Sequence, residues 1–156
     1  MKNLPHGQNL RRGRVSLSSQ VYLVTMVSSD RSPVFEDFFA ARCVVRTLHE
    51  QSIVSVAETL AFVVMPDHVH WLMQLNGDVG LGEVVRRCKA KVSLEMGLGK
   101  SVWQRGFHDH ALRSEEDVVT IARYVVANPL RAGLVNSIGD YPHWDAIWMS
   151  DADALL

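Results

Sequence analysis

Runs of apolar residues with two different spacings divide most of the chain into strands and helices. A β-branched and aromatic run within residues 16–28 predicts the first strand. A second strand is predicted over residues 61–65, and the dipeptide Pro66-Asp67 then turns the chain into a third strand over residues 68–75. We expect these two strands to form a hairpin, because only two turn residues separate them.

Three further segments place apolar residues three and four positions apart, which is the spacing of an amphipathic helix. The first begins with Ser32 as its cap and Pro33 at its first helical position. The second ends at Gly97, and the third opens at Ser114 and runs to Pro129. Their apolar positions are Val34, Phe38, Ala41, Val45 and Leu48 in the first helix, Leu81, Val84, Val85, Cys88, Val92 and Met96 in the second, and Ile121, Tyr124 and Val125 in the third.

The predicted order is strand, helix, strand, strand, helix, strand, helix, in which residues 102–113 supply one or two short strands. This order fits an α+β fold of the ferredoxin-like or RRM-like type, an antiparallel sheet with helices packed on one face. We expect a basic N-terminal arm over residues 1–15 and a single domain over residues 16–150.

The composition is that of an ordinary globular protein, since 47% of the 156 residues are hydrophobic and 21% are charged. No apolar run approaches the about 20 residues that cross a bilayer, and residues 1–7 lack the apolar centre of a secretory signal. We therefore expect a cytoplasmic protein with no membrane partner. Cys43 and Cys88 lie among apolar helix positions, which predicts buried thiols and no disulfide.

The net charge of −1 argues against a general nucleic-acid binder, but the cations are concentrated in two groups. Local groups of this kind can contact phosphates, although a solvated helix face would explain the second group equally well. If the chain binds DNA, these cations are the predicted contacts. They are Arg11, Arg12 and Arg14 in the N-terminal arm and Arg86, Arg87, Lys89 and Lys91 on the second helix.

The triplet His68-Val69-His70 begins the third predicted strand, inside an otherwise apolar run. Residues two apart in a strand point to the same face, so the two histidines would lie side by side, roughly 6.5–7 Å apart at the backbone. The opposite face would be an apolar row that starts at Val69 and is buried in the core. Because imidazole is a common ligand of transition metals, the pair is a candidate metal site, with chance spacing as the alternative.

A second triplet, His108-Asp109-His110, shows how readily this spacing arises. It lies in a polar stretch and has Asp109 at its centre, so we expect its strand to be less well anchored. The first triplet is therefore the better candidate for a metal site.

Tyr124 and Asn128 are four residues apart, which places them on one helix face. A tyrosine hydroxyl can attack a phosphodiester if a metal polarises the phosphoryl group. With the two histidines, the amide oxygen of Asn128 would complete a three-ligand site suited to Mg²⁺ or Mn²⁺. Pro129 disfavours helical geometry at Asn128, so the helix is expected to end or kink there, with Tyr124 in its last turn.

Three segments, residues 64–72, 103–110 and 123–135, together resemble the single-tyrosine HUH transposases, the IS200-like family. The resemblance covers residues 16–145 and is strongest to the branch associated with repetitive extragenic palindromes (REP). It implies that the domain is of the HUH endonuclease type and binds single-stranded or hairpin DNA as a monomer or homodimer. It also implies that His68 and His70 are metal ligands, that Asn128 holds the place of a third polar ligand, and that Tyr124 forms a 5′-phosphotyrosine bond.

The leading hypothesis is therefore a metal-dependent transposase that cleaves and rejoins DNA at hairpin sites. The first alternative is a non-catalytic nucleic-acid-binding module of ferredoxin-like type. It would need stacking aromatic residues on the exposed sheet face, where the pattern places histidines. The second alternative is a small metal hydrolase that uses the two histidines and Asp67 or another acid, in which Tyr124 would be dispensable.

Overall fold

The computed structural model describes residues 20–113 and 116–147, and within them five antiparallel strands form one sheet in the order β4-β1-β3-β2-β5. The strands are β1 (Val21–Val27), β2 (Ala57–Met65), β3 (His68–Leu75), β4 (His108–Ala111) and β5 (Trp144–Ala146). The helices are α1 (Phe38–Leu48), α2 (Gln51–Val54), α3 (Leu81–Met96), α4 (Val118–Val126) and α5 (Asn128–Arg131), and short 3-10 turns span Ser29–Arg31, Val34–Glu36 and Ile138–Asp140.

The order of β1 to β4 in the sheet is the ferredoxin-like order, so the predicted α+β class is confirmed. The predicted hairpin is also present, because Met65 pairs with His68 across the turn at Pro66 and Asp67. β2 begins earlier than predicted, at Ala57. A register shift near its start interrupts the regular pairing with β3, and this irregularity hides the strand from an alternation pattern.

One sheet face, which we call the first face, is packed against α1, α2 and α3. Trp71 is fully buried there, and its indole N–H donates to the hydroxyl of Thr59 at 2.9 Å. The predicted apolar row of β3 is confirmed as part of this core, together with the apolar stripe of α3. The buried residues of these two elements are Val69, Trp71, Met73 and Leu75 in β3 and Leu81, Val84, Val85, Cys88 and Val92 in α3.

The opposite face, the second face, is packed against α4. Ala122, Val125 and Val126 of this helix are fully buried against apolar side chains of β2, β3 and β5, among them Leu72. Because His68 and His70 alternate with the buried row of the first face, they belong to the second face. The helix that carries Tyr124 therefore covers part of the face that carries the two histidines. The expectation that the helices pack on one face of the sheet is corrected here, because α4 packs on the opposite face from α1, α2 and α3.

The predicted start of the first helix is wrong, because α1 is capped by Asp37 and not by Ser32. An oxygen of the Asp37 carboxylate accepts from the backbone N–H of Ala40 at 2.9 Å. The carbonyl of Ser32 instead accepts from the hydroxyl of Ser28 at 2.6 Å, which holds this segment in a turn. The predicted apolar positions Ala41, Val45 and Leu48 are buried, whereas Phe38, in the first turn of the helix, is 63% exposed.

The other two helices end where the sequence predicts. Gly97 caps α3 with a φ of 72°, a left-handed conformation that suits glycine. α4 ends at Val126, near the predicted break, and Tyr124 lies in its last turn as predicted. Asn128 is nevertheless helical, because it is the first residue of α5 and Pro129 occupies the first turn, where proline is tolerated. The start of α4 differs from the prediction, because its cap is Asp117, whose carboxylate accepts from the N–H of Val119 at 3.0 Å. Ser114, the predicted cap, lies outside the described residues.

Two further expectations concern the thiols and the membrane. Cys43 and Cys88 are both free and buried, as predicted. Burial raises the pKa of the Cys88 thiol to about 12. Within the described ranges, no helix has the length and apolar character needed to span a bilayer. The basic arm over residues 1–15 lies outside the described residues, and the boundaries of the single domain stay a prediction.

Candidate active site

The two histidines of the first triplet stand side by side on the second face, at the hairpin end of β3. Their ring centroids are 4.8 Å apart and the ring planes meet at 79°. In the sheet, His68 pairs with Val27 and Met65, and His70 pairs with Thr25 and Val63. Since β3 has a neighbouring strand on both sides, the backbone of the pair is fixed.

One nitrogen of each imidazole is occupied by a neighbouring side chain. His68 Nδ1 lies 2.7 Å from Asp67 Oδ1, and an ionised carboxylate only accepts, so Nδ1–H is the donor. His70 Nδ1 lies 3.0 Å from the hydroxyl oxygen of Thr25. Each ring therefore keeps Nε2 for another ligand, an arrangement that is usual for histidines that bind metals.

The charge state of His70 agrees with this role. Burial lowers the pKa of His70 to about 4, helped by electrostatic interactions with His68 and Arg131, so His70 is neutral at pH 7. Burial alone would raise the pKa of Asp67, but its hydrogen bond with His68 and the charges of His68 and Arg31 lower it. Asp67 is therefore ionised and accepts from His68, with Arg31 Nε at 3.6 Å from its other oxygen.

Tyr124 is held at the surface near this pair, with 56% of its area exposed. It lies in α4, and the chain then turns through α5, which brings the guanidinium of Arg131 to 3.7 Å from the centre of the tyrosine ring. The same guanidinium is close enough to His70 to lower its pKa. Arg131 thus contacts the predicted nucleophile and acts electrostatically on one predicted ligand, and a guanidinium over an aromatic face is attracted by it.

Asn128 is half-buried at the start of α5, and its side-chain NH₂ donates to the carbonyl of Val125 at 3.1 Å. Both amide hydrogens point towards α4, since a second, longer contact of 3.5 Å reaches the carbonyl of Tyr124. The amide oxygen is the remaining group that can coordinate a cation. α4 packs against β3 and α5 packs against β2, so these helices carry Tyr124 and Asn128 to the strands of the histidine pair.

The donors present fit a divalent ion only as an open site. In residues 20–113 and 116–147, no three side chains of His, Cys, Asp or Glu cluster as metal ligands. A metal would have to be held by the two Nε2 atoms and the amide oxygen of Asn128, with further positions left for oxygen atoms of a substrate. Open coordination of this kind is typical of catalytic and not of structural metal sites.

Comparison with known proteins identifies the family. The family described as Transposase IS200 like matches residues 16–128, which is more than half of the chain. The chain belongs to the IS200-like transposase family. This confirms the resemblance that the three sequence segments indicated.

Curated relatives of this IS200-like chain carry a more specific name. The REP-associated tyrosine transposase of Escherichia coli (strain K12) is 34% identical over 86 residues, which cover 54% of this chain and 52% of that protein. A Haemophilus influenzae (strain Rd) protein, provisionally given the same name, is 30% identical over 103 residues, which cover 55% of this chain and 57% of that protein. The chain thus spans about half the length of the curated relatives it matches.

A solved structure has a similar fold. It is the structure of a REP-associated tyrosine transposase bound to a REP hairpin, with a TM-score of 0.70 and 22% sequence identity. The match covers 100% of the IS200-like chain and 88% of that chain. At this identity the likeness establishes the fold, and it confirms the predicted α+β fold with an antiparallel sheet.

Sequence reasoning missed two residues that contact the candidate site of this family member. Thr25 gave no signal, because its contact with His70 depends on the register between β1 and β3. Arg131 lies in α5, and its contact with the ring of Tyr124 depends on the turn between α4 and α5, which helical spacing does not specify. Asp67 was considered only as an acid of a hydrolase, whereas in the structure its carboxylate orients His68.

The predicted DNA-contacting cations of the second helix lie on α3, which packs on the first face, away from the histidines. Arg86 and Arg87 both bind the carboxylate of Glu83, at 2.7 and 3.0 Å. Lys91 lies 3.2 Å from the carboxylate of Glu50.

Lys89 Nζ donates to two backbone carbonyls, those of Gln104 at 2.8 Å and Gly106 at 2.7 Å. The role of these α3 cations in binding DNA stays a prediction, and the structure gives each of them a partner within the protein. Arg11, Arg12 and Arg14 lie outside the described residues.

Proposed function

We propose that this IS200-like protein is a metal-dependent transposase that cleaves and rejoins DNA at hairpin sites, with Tyr124 as its nucleophile. The observation that carries the proposal is that the Arg131 guanidinium stacks on the exposed ring of Tyr124 and also lies near enough to His70 to lower its pKa. Further support comes from the two imidazoles with free Nε2 atoms and from the amide oxygen of Asn128, four residues after Tyr124.

The chemistry is an exchange of phosphodiester bonds. The hydroxyl oxygen of Tyr124 forms a bond to phosphorus, and the bond from phosphorus to the 3′ oxygen breaks. The phenolic proton is released and the departing oxygen takes up a proton, which leaves a 5′-phosphotyrosine and a free 3′-hydroxyl. Reversal by a 3′-hydroxyl rejoins DNA and restores the tyrosine. Each step replaces one phosphodiester linkage by another, so no external energy source is needed.

The residues around Tyr124 have separable roles in this exchange. Arg131 fixes the ring by stacking on it, and its charge favours a nearby phosphate. Asp67 and Thr25 hold the Nδ1 atoms, so that each Nε2 faces outwards. Mg²⁺ or Mn²⁺ bound by His68, His70 and Asn128 would polarise the scissile phosphoryl group.

The proposed partner is single-stranded or hairpin DNA. Support comes from the family and from the solved structure of similar fold, which is described as bound to a REP hairpin. We place the phosphate contacts on the basic arm and on the α3 cluster, as the sequence predicts. The protein would act as a cytoplasmic monomer or homodimer.

The two alternative functions have less support. A non-catalytic module would use an open sheet face, whereas α4 covers the part of the second face formed by β2 and β3. A metal hydrolase would use Asp67 as a ligand or base, whereas this carboxylate is already engaged by His68 and Arg31.

The deciding experiment is the substitution Tyr124→Phe with hairpin oligonucleotides as substrates. The change removes one exposed hydroxyl and little packing, so we expect normal folding and DNA affinity but no cleavage and no covalent protein–DNA adduct on a denaturing gel. Tyr141→Phe is a matched control, because its hydroxyl donates to the carbonyl of Val64 at 2.6 Å and serves the fold. Cleavage by the Tyr124→Phe protein at a near wild-type rate would support the hydrolase instead.

A further inference from the structure

A pocket of about 250 Å³ opens between the end of β1 and the loop that leads into β4. We call it the edge pocket. None of the functional residues proposed above lines it. Its lining residues are Val27, Gln104, Arg105, Gly106, Phe107 and His108.

The edge pocket lies directly beside the histidine pair. Val27 is the sheet partner of His68, and Thr25 is the partner of both His70 and His108. Residues that pair directly across antiparallel strands point to the same face, so all five belong to the second face. Only the width of β1 separates the pocket from the proposed cleavage site.

The loop that forms the pocket is fixed by the protein itself. Lys89 Nζ donates to the carbonyls of Gln104 and Gly106, and the N–H of Gln104 donates to the carbonyl of Val27 at 2.8 Å. Gly106 has a φ of 73°, a conformation that favours glycine at the bend. The indole of Trp103 donates to the carbonyl of Lys89 at 3.1 Å, which anchors the loop on α3. The pocket is therefore formed before any ligand arrives.

The side chains of the pocket have the chemistry of a nucleobase site. Phe107 lines the pocket, while its ring packs against the first-face core. Gln104 is exposed, and a carboxamide presents a donor and an acceptor side by side, which matches the edge of a base. The exposed guanidinium of Arg105 can stack on a base or bind a phosphate. The imidazole of His108 completes the wall that faces Thr25.

We propose that the edge pocket binds one unpaired nucleobase of the DNA strand next to the phosphodiester that Tyr124 attacks. This proposal rests on the proposed function, since it assumes DNA on the second face. The bound base would fix which phosphodiester reaches Tyr124, so the loop of residues 104–107 would determine where the strand is cut.

The test is an abasic scan with a hairpin oligonucleotide that has a single-stranded flank on each side. One abasic site is moved through the flanks, and affinity is measured by fluorescence anisotropy for the wild type and for a Gln104→Ala, Arg105→Ala double variant. We expect one flank position at which base removal weakens wild-type binding about 10-fold. In the double variant the penalty at that position should shrink severalfold, with penalties elsewhere unchanged.

The control is Gln51→Ala, the same substitution at an exposed glutamine of α2 on the first-face side. It should reproduce the wild-type scan. If no flank position shows a penalty that depends on Gln104 and Arg105, or if no hairpin binds, the edge pocket does not hold a base. Covalent attachment to Tyr124 is scored separately, so a failed scan with normal attachment refutes the pocket alone. A positive scan without attachment refutes the transposase chemistry but keeps the base site.

Discussion

His68-Val69-His70 lies in β3, the middle strand of the sheet, whereas His108-Asp109-His110 makes up most of β4 at the sheet edge. The central triplet has a hydrogen-bonded strand on each side, and its middle residue, Val69, is fully buried. The edge triplet pairs with β1, and both of its histidines are exposed. The same spacing therefore yields two rigid imidazoles in one place and two solvated ones in the other.

The contacts of the ring nitrogens separate the triplets further. In the central triplet both Nδ1 atoms are held, by Asp67 and Thr25, and both Nε2 atoms remain for a ligand. In the edge triplet it is Nε2 of His110 that contacts the carboxylate of Glu116, at 3.0 Å. A shared His-x-His spacing thus specifies which residues share a face, while the neighbouring strands decide whether the rings can bind a metal.

The largest contrast is expected from removing one histidine from each triplet. His70→Ala should reduce covalent attachment to a hairpin oligonucleotide by at least about 100-fold, because even residues that only orient a metal ligand are worth about 10- to 100-fold. His110→Ala should retain attachment within about 2-fold, since its ring is engaged by Glu116 at the surface. Attachment is measured on denaturing gels with Mn²⁺ present. Equal losses in the two variants, or full wild-type activity in EDTA, would remove the distinction between the triplets.

A smaller effect is expected from the side chains that orient the central triplet. Thr25→Val keeps the shape but removes the hydroxyl at 3.0 Å from His70, and should weaken Mn²⁺ affinity about 10-fold, measured by isothermal titration calorimetry. His68→Ala should abolish binding in the same experiment. Glu116→Gln is the matched control at the edge triplet and should leave Mn²⁺ affinity unchanged. Unchanged affinity in Thr25→Val would show that the contact with Thr25 serves packing alone.

Much of the comparison could be predicted from local sequence. Alternation along β3 correctly placed the two histidines opposite the buried row, and the polar surroundings of the edge triplet correctly predicted a weakly anchored strand. These features depend on neighbours within a few residues, because the geometry of a strand makes successive side chains alternate between its two faces. The metal and nucleophile roles of His68, His70, Tyr124 and Asn128 rest on resemblance to the family and stay predictions.

What could not be predicted depends on contacts between distant parts of the chain. The packing of α4 on the second face, the contact of Thr25 with His70 and the sharing of one face by His70 and His108 follow from sheet order and register. The wrong start of α1 has a similar cause, because the segment before Asp37 is tied to the β2–β3 turn by the N–H of Phe35, which donates to the carbonyl of Pro66. Helical periodicity contains no information on hydrogen bonds between segments that are distant in sequence.

A moderate effect, on affinity alone, is expected from charges remote from both triplets. Replacing Arg86 and Arg87 by alanine should weaken hairpin binding and reduce the slope of log affinity against log salt by about 0.9 for each duplex phosphate contact that is lost. Mn²⁺ affinity should not change, because these residues lie on α3 and bind Glu83. An unchanged salt slope would show that their pairing with Glu83 is their whole role, and would place the DNA contacts nearer the segment of residues 103–113.

The smallest effect is expected on stability, at the edge triplet itself. Glu116→Gln removes the charge that faces His110, but the amide oxygen can still accept from the N–H of Arg113, which lies at 2.7 Å. Half of the His110 side chain is exposed, so solvent screens the pair, and the free energy of unfolding in urea should fall by less than about 1 kcal/mol at pH 7. Burial would raise the pKa of Glu116, but hydrogen bonds from Arg113 and His110 lower it. The contribution of this carboxylate is therefore present above its unfolded pKa and lost as the pH falls through the folded one, so the stabilities of the variant and the wild type should converge as the pH falls below the lowered pKa of Glu116. A loss above about 2 kcal/mol at pH 7 would mean that β4 is anchored far more firmly than its edge position indicates.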